Sequence, residues 1–322
     1  NTYQILRKNE LVFKLIDLQN ISTSRVGLSS YTGIVSPAYI ILKPTVKIYL
    51  AYAEKYYLMM WMNEVFNALG DSGVRSSLNS NELLNILLPL PPFEEQKQIA
   101  DFLDKKCEEI DILIFKIQKE IELLQDYKKS IITKSVTKGL NKNVKLKNSG
   151  IEWAKQIPEH WNIKKGKYFL NYIVRPIKES DDVITCFRDG EVTLRKNRRE
   201  DGFTMADKEI GYQGINKGDL IVHGMDGFAG AIGISDSRGK ASPVLNVLDT
   251  KENKRYIMYY LRSLAFNNVF TALSTGIRVR SCDLRWNKLA ELLYILPPIE
   301  EQNKIVEYLE NKIKEIDSII VD

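Results

Sequence analysis

Along residues 93–135 the apolar side chains recur every seven positions. Leu103, Ile110, Ile117, Leu124 and Ile131 form one row, and Ala100, Cys107, Ile114 and Ile121 form a second that ends in Lys128. Seven-residue spacing is that of the d and a positions of a coiled coil, which keep one narrow seam turned toward a partner helix. Pro91-Pro92 stand just ahead of the segment, where proline is tolerated, and Glu94 and Glu95 place negative charge at the positive end of the helix dipole. At 1.5 Å per residue such a helix would be roughly 60 Å long. The pattern returns near the end of the chain, with Leu309 and Ile316 in the d row and Val306, Ile313 and Ile320 in the a row. Two helices in one register predict that they pair with each other. Packing of each on its own globule would call for a broader stripe and a shorter helix. Cys107 is then expected as a small, buried residue of the seam.

Between these helices the pattern shortens. Asp219-Leu220-Ile221-Val222 and Ala231-Ile232-Gly233-Ile234 read as two short strands around a Gly-rich turn. Residues 255–270 carry aromatic and aliphatic side chains on one helical face. Residues 48–66 come nearest to a membrane span, but Glu54 and Lys55 interrupt them and no run reaches the ~20 apolar residues a bilayer requires. An amphipathic helix is expected there.

The chain also repeats itself. Glu94-Glu95-Gln96 recurs as Glu300-Glu301-Gln302, an offset of 206 residues, and Leu88-Pro89-Leu90-Pro91-Pro92 answers Ile295-Leu296-Pro297-Pro298. With small slips the match runs upstream. Ser72-Gly73-Val74-Arg75 pairs with Thr275-Gly276-Ile277-Arg278, and Tyr56-Tyr57-Leu58 with Tyr259-Tyr260-Leu261. Ser36-Pro37 pairs with Ser242-Pro243, Lys8-Asn9-Glu10-Leu11-Val12 with Lys217-Gly218-Asp219-Leu220-Ile221, and Tyr3-Gln4 with Tyr212-Gln213. Each unit is therefore a mixed α/β globule, a Pro-Pro break and a charged helix. Residues 151–210 and the helix beyond Lys116 lack counterparts, which reads as a chain trimmed at both ends.

Composition narrows the class. The 322 residues, 44% hydrophobic and 27% charged, suit a soluble protein of two domains. Cys107, Cys186 and Cys282 are odd in number and widely spaced, so neither a disulfide framework nor a metal site is expected, and a reducing cytoplasm fits. His160 and His223 are too isolated to suggest a metal or an acid–base pair. A net charge of +5 points only weakly to an anionic partner. The densest basic run, Arg195-Lys196-Asn197-Arg198-Arg199, is either a solvated loop or a phosphate contact. Arg75 and Arg278 follow a glycine at matching places, with Arg280 beside the second. A guanidinium fork suits phosphate or a guanine edge, and it equally suits bracing a loop through carbonyls. His223, in the Gly-rich loop, is either a DNA contact or a structural residue.

Two repeated α/β units, each ending in a Leu-Pro-Pro-x-Glu-Glu-Gln-x-x-Ile helix, resemble the specificity subunits of Type I restriction–modification systems. Gly150-Ile151-Glu152-Trp153 through Ile157-Pro158-Glu159-His160-Trp161 is similar to the start of that family's target recognition domains, and the Gly-Val/Ile-Arg element also fits. The resemblance implies an α+β fold with two pseudo-repeated mixed α/β recognition domains separated by long helices that form an antiparallel coiled coil. It divides the chain into a first recognition domain (1–92), a spacer helix and linker (93–149), a second recognition domain (150–298) and a second helix (299–322). It implies a cytoplasmic, non-catalytic reader of a bipartite double-stranded DNA target that docks two methylation subunits. S-adenosylmethionine would belong to those partners, and separate motor subunits would cleave DNA. The chain itself would need no cofactor, metal or membrane.

Two other classes compete with this reading. Adenine methyltransferases resemble one another in an Asn-Pro-Pro-aromatic motif, but leucine precedes both Pro-Pro pairs here. Gly224, Gly227, Gly230 and Gly233 lack the G-x-G-x-x-G spacing and fit a hairpin turn, and no G-x-x-x-x-G-K-[ST] phosphate loop is present. A coiled-coil adaptor that binds only protein is the other; salt-sensitive affinity for duplex DNA would separate it from a DNA reader.

Overall fold

The computed structural model describes residues 3–16, 18, 23–69, 77–198, 210–273 and 284–321. They fall into two compact units, Asn1–Gln118 and Lys119–Asp322.

The first unit opens with β1 (Gln4–Leu6), β2 (Leu11–Phe13), β3 (Val26–Leu28), β4 (Gly33–Val35) and β5 (Ile40–Leu42). Strand β1 pairs with β4, and β2 lies between β3 and β5, all antiparallel. Three short helices follow, α1 (Leu50–Met62), α2 (Val65–Leu69) and α3 (Ser80–Leu84), before the long helix α4 (Phe93–Lys138). Phe13, Leu15, Tyr57, Phe66 and Leu83 form the centre of the core, with the Phe13 and Tyr57 rings edge to face at 5.1 Å.

The second unit receives the end of α4 and continues with β6 (Leu146–Asn148), β7 (Gln156–Pro158), β8 (Asn162–Lys165), β9 (Leu170–Tyr172), β10 (Ile184–Cys186) and β11 (Val192–Leu194). Then come β12 (Gln213–Ile215), β13 (Leu220–His223), β14 (Ile232–Ile234), β15 (Gly239–Ala241) and β16 (Leu245–Thr250). Helices α5 (Lys254–Phe266), α6 (Val269–Ala272) and α7 (Trp286–Glu291) precede β17 (Leu293–Leu296) and α8 (Ile299–Val321). The main sheet has the order β14-β13-β16-β9, with separate ladders β12-β15, β10-β11, β17-β8 and β6-β7. The Gly-rich segment is the expected hairpin: β13 and β14 are antiparallel, with Leu220 opposite Ile234.

The two units repeat down to single hydrogen bonds. Strand order β3-β2-β5 becomes β14-β13-β16, and the β1-β4 pair becomes β12-β15. In both, the turn ahead of the central strand takes a left-handed residue, Asn9 at φ 64° and Gly218 at φ 87°. The next residue's carboxylate accepts a backbone N–H three positions back, Glu10 from Arg7 and Asp219 from Asn216, each at 2.8 Å. The Gln4 amide donates to the Tyr39 carbonyl, and the Gln213 amide to that of Leu245. After thirteen residues α1 and α5 each break at a left-handed residue, Glu64 and Asn268, both at φ 57°. That break divides each of the continuous helices expected over residues 48–66 and 255–270. It also corrects one alignment. Tyr56 donates its hydroxyl to the Leu87 carbonyl, and it is Tyr260 that does the same to Leu293; Tyr52 and Tyr256 likewise bond Pro89 and Ile295. The tyrosines therefore match at an offset of 204, one more than their sequence alignment.

Glutamine explains the Pro-Pro-x-Glu-Glu-Gln motif. Gln96 accepts the Tyr49 N–H at 2.8 Å and donates to the Pro91 carbonyl at 2.8 Å. Gln302 accepts the Asn253 N–H at 3.0 Å and donates to the Pro297 carbonyl at 2.9 Å. Tyr49 and Asn253 are the N-caps of α1 and α5. One buried amide thus ties the start of each repeated Pro-Pro helix to the start of its unit's own helix. A second tie is ionic: Lys55 meets Asp104 at 2.6 Å in the first unit, and Arg255 meets Glu310 at 2.5 Å in the second.

Within the second unit α8 packs antiparallel on the last turns of α4. Lys128 meets Asp317 at 2.6 Å, while Gly139, just past the end of α4, lies beside Glu301 at the start of α8. Ile131, Val306, Leu309 and Ile316 are buried in this seam, and Ile121, Leu124, Ile313 and Ile320 are half-buried. Two helices rising 1.5 Å per residue in opposite senses bring Ile320 level with about residue 125. The rest of the two rows is mixed. Ala100 is buried within the first unit and Leu103 is half-buried, whereas Cys107 is exposed rather than buried, and Ile110, Ile114 and Ile117 are 54%, 47% and 48% exposed. The buried seam is therefore the C-terminal third of the predicted one.

This asymmetry is testable. Ile316→Asp should strand a carboxylate in a packed seam and lose isoleucine burial, costing about 4 kcal/mol or more. Ile110→Asp, at a half-exposed position, should cost less than about 1 kcal/mol. Urea unfolding followed by circular dichroism measures both, and equal effects would refute the partial seam.

Candidate nucleic-acid interface

In the second unit the hairpin β10–β11 and the turn after β13 enclose a polar recess of about 630 Å³. Asp189-Gly190, a turn signal in sequence, closes the hairpin. Gly190 sits at φ 95°, and a Cβ there would fall 1.6 Å from the Arg262 guanidinium, so both backbone and space demand glycine. Phe187, Arg188, Asp189, Arg198, His223 and Asp226 line the recess.

The basic run predicted from sequence lies at its edge, and its described cations are engaged by neighbouring carboxylates or hydroxyls. Arg198 bridges Asp189 at 2.7 Å and Glu191 at 3.2 Å, with its guanidinium 4.3 Å above the Phe187 ring. Lys196 pairs with Asp182 at 2.5 Å, and Arg195 reaches the Thr185 hydroxyl at 3.5 Å. Burial pushes the Asp189 carboxyl up, but the hydrogen bonds from Arg198 and the Glu191 N–H, together with the charges of Arg198 and Arg262, outweigh it and leave the group below the usual carboxylate range. A phosphate approaching Arg198 must compete with two carboxylates already in place. Arg188, which pairs with Asp226 at 2.8 Å, was not singled out in the sequence because its partner lies 38 residues away.

His223 has a defined protonation pattern. Its Nδ1 accepts the backbone N–H groups of Met225 at 3.2 Å and Asp226 at 2.9 Å. Burial and the nearby Arg188 hold its pKa below the ordinary histidine value against the pull of Asp226. The ring is therefore neutral at pH 7, with the proton on Nε2. The structural role expected as one alternative is present, and it leaves Nε2–H as a donor at the recess. Arg75, Arg199, Arg278 and Arg280 lie outside the described residues. Among the described residues, Leu78 and Leu284 are anchored at matching places, the Leu78 N–H on the Leu15 carbonyl and the Leu284 N–H on the Gly224 carbonyl.

The segment resembling a recognition-domain start also has a structural partner. The His160 imidazole and the Trp161 indole N–H meet one Glu301 oxygen at 2.9 and 3.1 Å. The second glutamate of the helix motif thus binds the Glu-His-Trp of the same unit. Among the described residues no group of three or more His, Cys, Asp or Glu could hold a metal ion, and no helix is long and apolar enough to cross a membrane.

Comparison with known proteins agrees with this architecture. Residues 1–123 match the family model of the Type I restriction modification DNA specificity domain. The chain is 37% identical over 125 residues to a putative type I restriction enzyme MjaX specificity subunit of Methanocaldococcus jannaschii, covering 36% of this chain and 28% of the relative. It is 28% identical over 286 residues to the type I restriction enzyme EcoBI specificity subunit of Escherichia coli, covering 79% of this chain and 57% of the relative. The chain is thus similar to Type I specificity subunits, over its first 123 residues to the family model and over longer or shorter stretches to these relatives. A chain from a solved type I R-M system superposes with a TM-score of 0.69 at 14% identity, over 98% of this chain and 77% of that one. The HsdS subunit from Thermoanaerobacter tengcongensis gives 0.55 at 14%, over 98% and 75%. At that identity the likeness is one of fold. The chain spans 28% and 20% of the lengths of two such curated subunits from M. jannaschii.

The recess makes a chemical prediction. Burial pushes the Cys186 thiol up to about 12, whereas Cys107 is exposed. Since the thiolate is the nucleophile, iodoacetamide at pH 8 should modify Cys107 in the native protein and reach Cys186 only after denaturation. Peptide mass spectrometry reads the sites, and native labelling of Cys186 would contradict the closed packing of this hairpin.

Proposed function

We propose that this chain acts as a Type I specificity subunit, a non-catalytic reader of a bipartite duplex DNA target, each repeated unit gripping one half. The observation that carries the reading is the duplication itself: two globules with the same strand order, the same buried glutamine and the same tyrosine bonds, each leading into a Pro-Pro helix. Half-site spacing follows protein geometry in two-fold readers, so a repeated reader suits a split target. The helices α4 and α8 would serve as spacer and as docking surface for two methylation subunits. The half-exposed Ile110, Ile114 and Ile117 supply apolar surface for such a role. S-adenosylmethionine would be bound by those partners, and DNA cleavage would fall to separate motor subunits.

Exchange of residues 150–298 for the matching domain of a relative should change one half of the methylated sequence and leave the other. Mapping methylated adenines in the host genome reads this directly, and a change in both halves would defeat the one-unit, one-half-site reading.

Arg278→Ala addresses Arg75 and Arg278, which occupy equivalent places in two repeated but otherwise different stretches of sequence. A residue common to both suits what their targets share, the phosphate backbone. The variant should weaken binding to all duplexes alike and lower the salt slope by about 1. Unchanged DNA affinity with a lowered melting temperature would make the arginine a loop brace.

A further inference from the structure

From Tyr127 to Ile151 the chain carries seven lysines and no aspartate or glutamate. The structure gathers three of them. The last turns of α4 and the connector to β6 wall a recess of about 570 Å³ whose lining includes Ser130, Lys134, Lys138 and Lys142, with Tyr308 of α8, and no carboxylate. Most of the other lysines are committed: Lys128 to Asp317 at 2.6 Å, Lys129 to Asp126 at 2.9 Å and Lys147 to the Trp161 carbonyl at 2.6 Å. Lys138 donates to the Gln156 carbonyl at 2.6 Å. Lys134 and Lys142 are exposed and have no carboxylate partner among the described residues.

A bland account is available for part of this cluster. Lysine near a helix C-terminus complements the dipole, and that suffices for Lys138 in the last turn of α4. It does not cover Lys142, which lies beyond Gly139 where the helix has ended with φ 72°. Nor does it explain why the recess excludes acidic side chains when the basic run at Arg195–Asn197 and Arg198 is matched by Asp182, Asp189 and Glu191. Uncompensated ammonium groups beside hydroxyls, in a site open to solvent, have the chemistry of an anion site. Lysine is a point charge without the fixed fork that reads base edges.

We infer that this lysine recess binds backbone phosphates of duplex DNA and contributes sequence-independent affinity. The inference rests on the DNA-reading function proposed above and adds a contact outside the recognition loops. Each phosphate neutralised releases counterions worth about 0.9 in the logarithmic salt slope. Two lysines therefore account for a slope change near 2, and for about a tenfold smaller loss of affinity between 50 and 200 mM salt.

The test compares the full chain with its Lys134→Ala/Lys142→Ala double variant by fluorescence anisotropy, on a target duplex and a scrambled duplex, across that salt range. The expected result is a salt slope shallower by about 2 on both duplexes, with the ratio of specific to non-specific affinity and the melting temperature unchanged. Wild-type binding that the double variant reproduces at every salt concentration overturns the recess while leaving the DNA-reading function standing. Unaltered DNA binding with weaker recovery of the methylation subunits also overturns it, by assigning the lysines to a protein partner. Failure of the wild-type chain to bind either duplex, alone and with methylation subunits, rejects the underlying reading and this contact with it.

Discussion

A buried side-chain amide has two hydrogen-bonding ends, and in this fold both must find backbone. Gln96 and Gln302, 2% and 0% exposed, meet that demand in the same way, and the Gln302 nitrogen donates to the Glu252 carboxylate at 2.6 Å as well. The oxygen takes the N–H at the cap of the unit's own helix, and the nitrogen gives to the proline carbonyl five residues back. Leaving either end unpaired would cost about 1–3 kcal/mol. The consequence is geometric. The helix that follows the Pro-Pro break cannot swing there without breaking one of these bonds, so the globule and its helix are oriented together. Tyrosines from α1 and α5 reinforce this arrangement by bonding carbonyls in the segment just ahead of the prolines.

This clamp gives the Glu-Glu-Gln motif a division of labour. The first glutamate favours the helix N-terminus through charge alone. Glu301 adds bonds to His160 and Trp161, fastening the start of the second recognition unit to the helix that ends it. Gln302 fastens the helix to α5. Three consecutive residues thus connect the dipole, the leading segment and the central helix of one unit.

The charge distribution follows a different rule from its first appearance. The arginine-rich run is the most basic segment by density, yet folding surrounds it with Asp182, Asp189 and Glu191. The lysine-rich stretch at the end of α4 is more dilute, but no carboxylate lines the recess that it forms. Electrostatic attraction depends on the net field at a site, so the less conspicuous cluster is the better anion binder.

Much of the architecture was legible in the amino-acid order. The seven-residue rows specify a helix and its seam, because side-chain period and backbone period are coupled locally. The duplication was visible because the two units keep the same residue types in the same order: the Asn9 and Gly218 turns, the Gln4 and Gln213 amides, and the proline punctuation. Other features depended on the tertiary structure. Periodicity marks Cys107, Ile110, Ile114 and Ile117 as seam residues but cannot say how far a partner helix extends, and burial stops near Ile121. The tyrosine alignment shifted by one residue because identity of type does not reveal which hydroxyl points at which carbonyl. Arg188 and Asp226 met across 38 residues, and ion pairing at that separation is decided by how strands stack, which no local pattern encodes.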